Sequence, residues 1–214
     1  MRLIFVDSSL ELIPKTIHHH VDVIKSSRIR RKKIEEMLLE DYLHYRAIRK
    51  LRNAEKRGRP DIIHRCLLLA LDSQLFDEIF VHTIADKIIW VNKNTRLPRT
   101  YERFRGLMEK LFKTGKIEIN GKVLLEILNY KLEDVLKGKV VVLSENGEKD
   151  KFCKHVVTAN TICIGAFPKG NFEEETLNTF KKANAKFVRF DDKSCSSLYS
   201  TCMVICCINS INGV

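Results

Sequence analysis

Apolar and polar positions along the 214 residues switch between a two-residue and a three-to-four-residue spacing, and the switches mark the predicted elements. Arg2-Leu3-Ile4-Phe5-Val6 is a short apolar run that stops at Asp7-Ser8-Ser9, so it predicts a first strand with its functional end at Asp7. Ser8 or Ser9 then caps a short helix through Leu12, which Pro14 closes or kinks. Ile34, Met37, Leu38, Tyr42 and Tyr45 recur at helical spacing and predict an amphipathic helix. Asp61 to Asp72 is apolar nearly all round and predicts a buried helix. Glu78 to Thr83 and Ile88 to Val91 read as a hairpin around Ala85-Asp86-Lys87.

Pro98 suits the start of a second helix. At 100° per residue, Arg99 and Arg103 then fall about 40° apart, and Tyr101, Phe104, Met108 and Leu111 gather about 100° or more away. Gly106 lies on the arginine side of that helix, where an approaching ligand would explain a glycine that costs about 1 kcal/mol relative to alanine. Lys116 to Asn120 with Asn120-Gly121 is a small hairpin, and Leu124 to Leu136 holds a helical pattern that ends at Gly138. Lys139 to Leu143, Thr161 to Ile164 and Phe187 to Phe190 are the last strands, and Tyr199 to Ile208 is a final apolar helix that needs cover from the domain or from a second copy. Strands alternating with helices predict an α/β fold with a parallel sheet.

Charge changes this picture. Lys and Arg number 38 against 27 Asp and Glu, a net +11, which favours a polyanionic partner. Lys25 to Arg59 holds thirteen positive and five negative residues, a net +8, so most of the excess sits there. That run is either an RNA-binding face or an ordinary solvated one. No apolar stretch approaches the roughly 18 residues that span a bilayer, and the first residues do not form a signal peptide, so a soluble, intracellular protein is expected. The seven cysteines are expected to be reduced and mostly buried, and no C-x-x-C pair or matched histidine spacing suggests a metal.

The chemistry concentrates at Gly58-Arg59-Pro60-Asp61-Ile62-Ile63-His64. Pro60 suits the first turn of a helix, and Asp61 in that turn is favoured by the helix dipole. A carboxylate so close can fix the Arg59 guanidinium in one orientation, although a plain surface ion pair would look the same in sequence. His64 reads first as a core or boundary histidine and only second as a base. Arg96, Arg99 and Arg103 aim one way and suit phosphate. Each of the last three strands runs into a polar or glycine-bearing loop: Ser144 to Gly147, Gly165 to Gly170, and Asp191 to Ser200. Ligands of open α/β sheets bind at such carboxyl ends. Neither G-x-G-x-x-G nor a phosphate loop is present, so the site is not a standard dinucleotide or ATP cradle. Gly165 and Gly170 admit a planar ligand to backbone amides, or are plain turn glycines.

Three segments in this order resemble the SPOUT-class methyltransferases of small-subunit ribosome biogenesis: Gly58 to His64, Arg96-Leu97-Pro98-Arg99-Thr100-Tyr101-Glu102-Arg103-Phe104, and the Gly165-Ala166-Phe167-Pro168-Lys169-Gly170 loop after a strand. Members methylate N1 of a pseudouridine in small-subunit rRNA. The resemblance spans essentially the whole chain. It implies a SPOUT-like α/β fold with a C-terminal trefoil knot, extended by a β-hairpin and a basic helical insertion. It implies a single domain over residues 1–214, with the RNA-binding insertion at about 25–60 and the cofactor-binding knot at about 139–214.

The resemblance further implies S-adenosylmethionine as cofactor, a homodimer, and small-subunit rRNA as partner, with ribosomal proteins or assembly factors beside it and no membrane. The location implied is the cytoplasm, or the nucleolus in a eukaryote. Arg59, Arg96, Arg99 and Arg103 match the rRNA-contacting arginines, and Arg59 with Asp61 would be catalytic. Ser144, Gly165, Gly170, Cys195, Ser196, Ser197, Leu198, Tyr199 and Ser200 match cofactor positions. Members often carry Pro-Leu or Gly-Leu where this chain has Cys195-Ser196, so that loop aligns to within one residue. An rRNA-binding assembly factor with dispensable transferase activity would use the same arginines, and only the C-terminal loops separate the two readings. Binding to a membrane surface is disfavoured, because the basic run lacks a broad apolar face beside its charges.

Overall fold

The first apolar run forms β1 (Arg2–Ser8), and all seven of its residues are buried. A strand buried on both faces needs a neighbour on each edge and helices above and below. In the computed structural model, which describes residues 1–212, β1 has both. The parallel strand β2 (Glu78–Thr83) lies on one side and β7 (Thr161–Gly165) on the other. Beyond β7 come β6 (Val140–Glu148) and β8 (Lys186–Val188), also parallel. Beyond β2 come β3 (Ile88–Val91), β5 (Lys122–Leu128) and β4 (Lys116–Ile119), all antiparallel. The sheet order is β4-β5-β3-β2-β1-β7-β6-β8.

The helices are α1 (Val21–Arg30), α2 (Asp41–Ile48), α3 (Pro60–Ser73), α4 (Tyr101–Thr114), α5 (Leu132–Val135), α6 (Phe152–Val157), α7 (Glu174–Lys182) and α8 (Ser197–Asn212). Alternate residues of β1 feed two cores. Leu3 and Phe5 pack with Ile63 and Leu67 of α3, Phe104 of α4 and Val204 of α8. Ile4 and Val6 face the other way, into a core with Val142, Cys163 and Phe180. A third, smaller core of Ile13, Ile17, Val23, Met37, Leu39, Ala47 and Ile48 gives the basic segment its own support.

Several expectations are corrected. No helix follows Ser9: Leu12 instead bridges to Leu38 as a short antiparallel contact, and Asp7 turns the chain with φ 50°. The helix expected from Ile34 to Tyr45 is broken into a 3-10 turn at Ile34–Glu36, an extended and buried Met37-Leu38-Leu39, and α2. Extended chain there buries three successive apolar side chains on different sides, which one helix face would not do. Leu124 to Leu136 is not one helix either. Asn120 and Gly121 both take positive φ and close a tight hairpin, so the next residues pair as β5, and only Leu132–Val135 is helical. The helix expected from Pro98 begins at Tyr101, because Pro98 directs its carbonyl to His64 instead. Finally, not all cysteines are free: Cys153 of α6 and Cys207 of α8 form a disulfide with Cα atoms 5.1 Å apart. The packing of α6 against α8 brings together residues 54 positions apart, which spacing alone cannot reveal.

Candidate active site and nucleic-acid interface

Pro60 starts α3, as its fixed φ favours, and Asp61 lies in the first turn. Arg59 Nε donates to Asp61 Oδ1 at 2.7 Å and Arg59 Nη2 to Oδ2 at 2.9 Å, a two-bond fork. Arg65, one turn further on, also donates to Asp61. Burial opposes the charge on Asp61, but the hydrogen bonds and positive charge of Arg59 and then Arg65 prevail and hold its carboxyl below the ordinary value. Arg59 is correspondingly stabilised as a cation, chiefly by the Asp61 hydrogen bond. Asp41 Oδ2 stands 3.8 Å from Arg59 Nε on the other side. His64 is buried, binds the Pro98 carbonyl at 2.7 Å through Nε2 and stacks on Phe104 at 4.3 Å between ring centres. Burial lowers its pKa, so it is a neutral core histidine that ties α3 to the start of α4.

Arg96 and Arg103 are exposed and have no ion-pair partner among the described residues. Arg99 is exposed too, and forks onto Asp72 at 2.7 and 3.2 Å. Arg99 lies ahead of α4 rather than on it, so the shared helix face expected for Arg99 and Arg103 does not form. Gly106 is exposed, and a Cβ there would meet nothing within 4 Å.

The basic run divides in two. Six of its cations have internal partners: Arg30 and Lys32 on Glu109, Arg46 on Asp22, Lys56 on Glu173, Arg57 on Glu11, and Arg59 on Asp61. Lys25, Arg28, Arg31, Lys33, Arg49, Lys50 and Arg52 stay exposed and have no such partner among the described residues. A charge count could not separate the two groups, because all five of these acceptors (Glu109, Asp22, Glu173, Glu11 and Asp61) lie outside the run.

The second feature is a cleft of about 480 Å³ at the carboxyl ends of β6, β7 and β8. Ser144, Gly165, Gly170, Cys195, Ser197 and Ser200 line it, whereas Ser196, Leu198 and Tyr199 do not. Glu145, Phe167, Asp191 and Lys193, within the three expected loops but not singled out there, also line it, as do Phe172 and Arg189, which lie outside those loops. Ser197 Oγ donates to the Gly165 carbonyl at 2.6 Å, and Ser194 bonds Glu145, so the three loops are tied together. A Cβ at Gly165 would stand 2.8 Å from Phe167 Cε1 and 3.3 Å from Phe172 Cε1, so this wall of the cleft admits only glycine without movement. Gly147 is needed for another reason: a Cβ there would lie 2.4–2.6 Å from the Val188 backbone, which crosses beneath it.

Two links join the arginine site to the cleft. The Arg59 amide donates to Ser9 Oγ at 2.8 Å, and the Ser9 amide donates to the Ala166 carbonyl at 2.9 Å, next to Gly165. Lys56 reaches Glu173 at 2.5 Å and lies 5.3 Å from the centre of the Phe167 ring. Ser9 was visible in the sequence only as a helix cap. Its bridging role needs β1 and β7 to be neighbours.

The fold and site thus define an α/β protein with a ligand cleft at parallel strand ends and a held arginine beside it. Residues 3–209 match the profile of the EMG1/NEP1 methyltransferases, and the chain belongs to that family. It is 46% identical over 206 residues to the ribosomal RNA small subunit methyltransferase Nep1 of Archaeoglobus fulgidus, across 95% of this chain and 93% of that one. The protein of the same name from Saccharolobus solfataricus is 46% identical over 188 residues, across 85% and 86% of the two chains. The crystal structure of Archaeoglobus fulgidus Nep1 bound to S-adenosylhomocysteine superposes with TM-score 0.94 at 43% identity, across 100% of this chain and 99% of that one.

Proposed function

We propose that the protein methylates N1 of a pseudouridine in small-subunit rRNA, with S-adenosylmethionine as methyl donor. The observation that carries this reading is the hydrogen-bonded path from Arg59 through Ser9 to Ala166. It ties the backbone of an arginine whose side chain is fixed for an anionic or polar ligand to the segment beside Gly165, which lines the cleft. The cleft fits the cofactor: the rings of Phe167 and Phe172 line it and would suit a flat group, and the carboxylates of Glu145 and Asp191, also in its lining, would suit the positive sulfonium and ammonium groups. When bound, S-adenosylmethionine supplies an electrophilic methyl group. The chain supplies position: Arg59, held by Asp61, orients the unstacked base or its phosphate, and Arg96, Arg99 and Arg103 grip the backbone around it. Asp61 does not serve as the base in this reading, because a carboxyl held below its ordinary pKa is a poor proton acceptor. The weakly acidic N1 proton passes to water as the N–methyl bond forms, and the sulfur–methyl bond breaks to release neutral S-adenosylhomocysteine.

The remaining features follow from the same reading. The chain is one SPOUT-like domain, with α8 passed through the β6–β8 region as a trefoil knot. It works as a homodimer: α8 carries no charged residue, buries Val204 and Ile208, and leaves Tyr199 and Cys206 at the surface for a second copy. Its partners are small-subunit rRNA and the proteins assembled on it, in the cytoplasm or nucleolus. No helix among the described residues is long and apolar enough to cross a membrane. The test is calorimetric titration with S-adenosylmethionine, followed by methyl transfer to hairpins carrying uridine or pseudouridine. Binding with transfer only to pseudouridine is expected. Tight hairpin binding without any cofactor heat would favour an assembly factor instead.

A further inference from the structure

Tyr42, the second residue of α2, is 64% exposed, yet its hydroxyl is held. It accepts from Arg105 Nη1 at 2.9 Å and donates to Glu40 Oε1 at 3.2 Å. The same Glu40 oxygen takes the Tyr101 hydroxyl at 2.5 Å, and the Glu40 side chain is fully buried with Arg30 3.8 Å from its other oxygen. An exposed tyrosine ordinarily has a free ring; here a buried carboxylate and an arginine fix the hydroxyl and leave the ring face to solvent. Burial and the Glu40 carboxylate raise the pKa of Tyr42, so the ring stays uncharged at neutral pH.

Position gives this ring a role. Asp41, its neighbour in the chain, donates its amide to the Gly58 carbonyl at 2.8 Å and places Oδ2 3.8 Å from Arg59 Nε. The exposed cations Arg49, Lys50 and Arg52 follow at the end of α2. A fixed π-face with exposed cations further along the same segment is how proteins hold unpaired nucleotides, by stacking the base while the charges follow the backbone. An apolar protein partner would be a poor fit for such surroundings.

We infer that Tyr42 is a stacking platform for an unpaired RNA base that flanks the target nucleotide, with Glu40 and Arg105 holding the ring in place. This rests on the rRNA reading above and adds a contact to it. Binding is measured by fluorescence with two RNAs, a hairpin whose unpaired loop carries 2-aminopurine and a blunt duplex of equal length, for the native protein, Tyr42→Ala and Tyr42→Phe. S-adenosylmethionine binding serves as the control for folding. Tyr42→Ala should lower hairpin affinity roughly tenfold, the usual order for loss of one stacked base. It should leave duplex affinity and the salt slope unchanged, since no charge is removed. Tyr42→Phe keeps the ring and should retain most of the quenching. Native-like hairpin binding by Tyr42→Ala, or an equal loss on both RNAs, overturns the platform and leaves the rRNA reading standing. A native protein that binds hairpin and duplex alike, with no dependence on Arg99, overturns both.

Discussion

Lys56 Nζ lies 2.5 Å from Oε1 of Glu173, a residue 117 positions further along the chain. Lys56 is the last residue of a 3-10 turn in the basic segment, and Glu173 is the N-cap position of α7, just after the Gly165–Gly170 loop. Asn53 Nδ2 joins the same carboxylate at 2.6 Å, and Lys56 packs over Phe167. The basic segment and the cleft loop are therefore held as one piece.

Lys56→Met keeps the apolar stem and removes this tie. It should destabilise the protein by about 2 kcal/mol, the order for a charge-assisted hydrogen bond made where water is largely excluded. Because Phe167 loses the ammonium beside its ring and the tie that fixes the loop, affinity for S-adenosylmethionine should fall as well. Urea denaturation and calorimetry on the same samples check both, and a loss of stability without any change in cofactor affinity would show that the tie does not reach the cleft.

Asp61→Asn removes the charge that orients Arg59 and should slow methyl transfer by roughly tenfold or more. Arg59→Ala should nearly abolish it, and the double variant should be little worse than Arg59→Ala alone if Asp61 acts only through Arg59. The pH dependence follows from the lowered pKa of Asp61. The pairing contributes fully above the ordinary aspartate value of about 3.9 and is lost only as pH falls through the lower folded value. Single-turnover rates should thus show no loss from this pair between neutrality and about pH 4. A double variant clearly slower than Arg59→Ala, recovering as pH rises, would make Asp61 a base.

Two glycines should respond differently. Gly165→Val pushes on Phe167, a ring at the edge of the cleft, so S-adenosylmethionine binding should fall at least tenfold while thermal stability changes little. Gly147→Ala pushes on the Val188 backbone, which cannot swing aside, so it should cost about 3 kcal/mol of stability. Thermal melts paired with cofactor titration distinguish them, and a folded Gly165→Val with native affinity would move the cofactor elsewhere.

Arg99→Ala and Arg103→Ala should each weaken RNA binding regardless of sequence and reduce the salt slope by about one. Arg99 also loses its pairing with Asp72, but that pair is exposed on both sides and its loss should change stability by only about 0–1 kcal/mol. Affinities measured over a salt series check this, and an unchanged slope in Arg103→Ala would remove that arginine from the interface.

Patterns that depend on neighbours in the chain were legible in the sequence. The central strand, the proline start of α3, the Arg59–Asp61 pair, the two hairpins and the loops after the last strands all rest on residues a few positions apart, and local geometry dictates them. Charge balance likewise pointed to a polyanion. What tertiary structure decided is everything that needs distant segments to meet. The fate of the basic run turned on acceptors outside it: Arg57 found Glu11 and Lys56 found Glu173, while Arg49 and Lys50 have no ion-pair partner among the described residues. Leu124 to Leu128 has apolar spacing compatible with helix or strand, and the turn at Asn120-Gly121 with the waiting edge of β3 chose the strand. The cysteine pair, the fixed ring of Tyr42 and the path from Arg59 through Ser9 to Ala166 exist only because the fold brings their partners within hydrogen-bonding or covalent reach, and no spacing along the chain encodes such a distance.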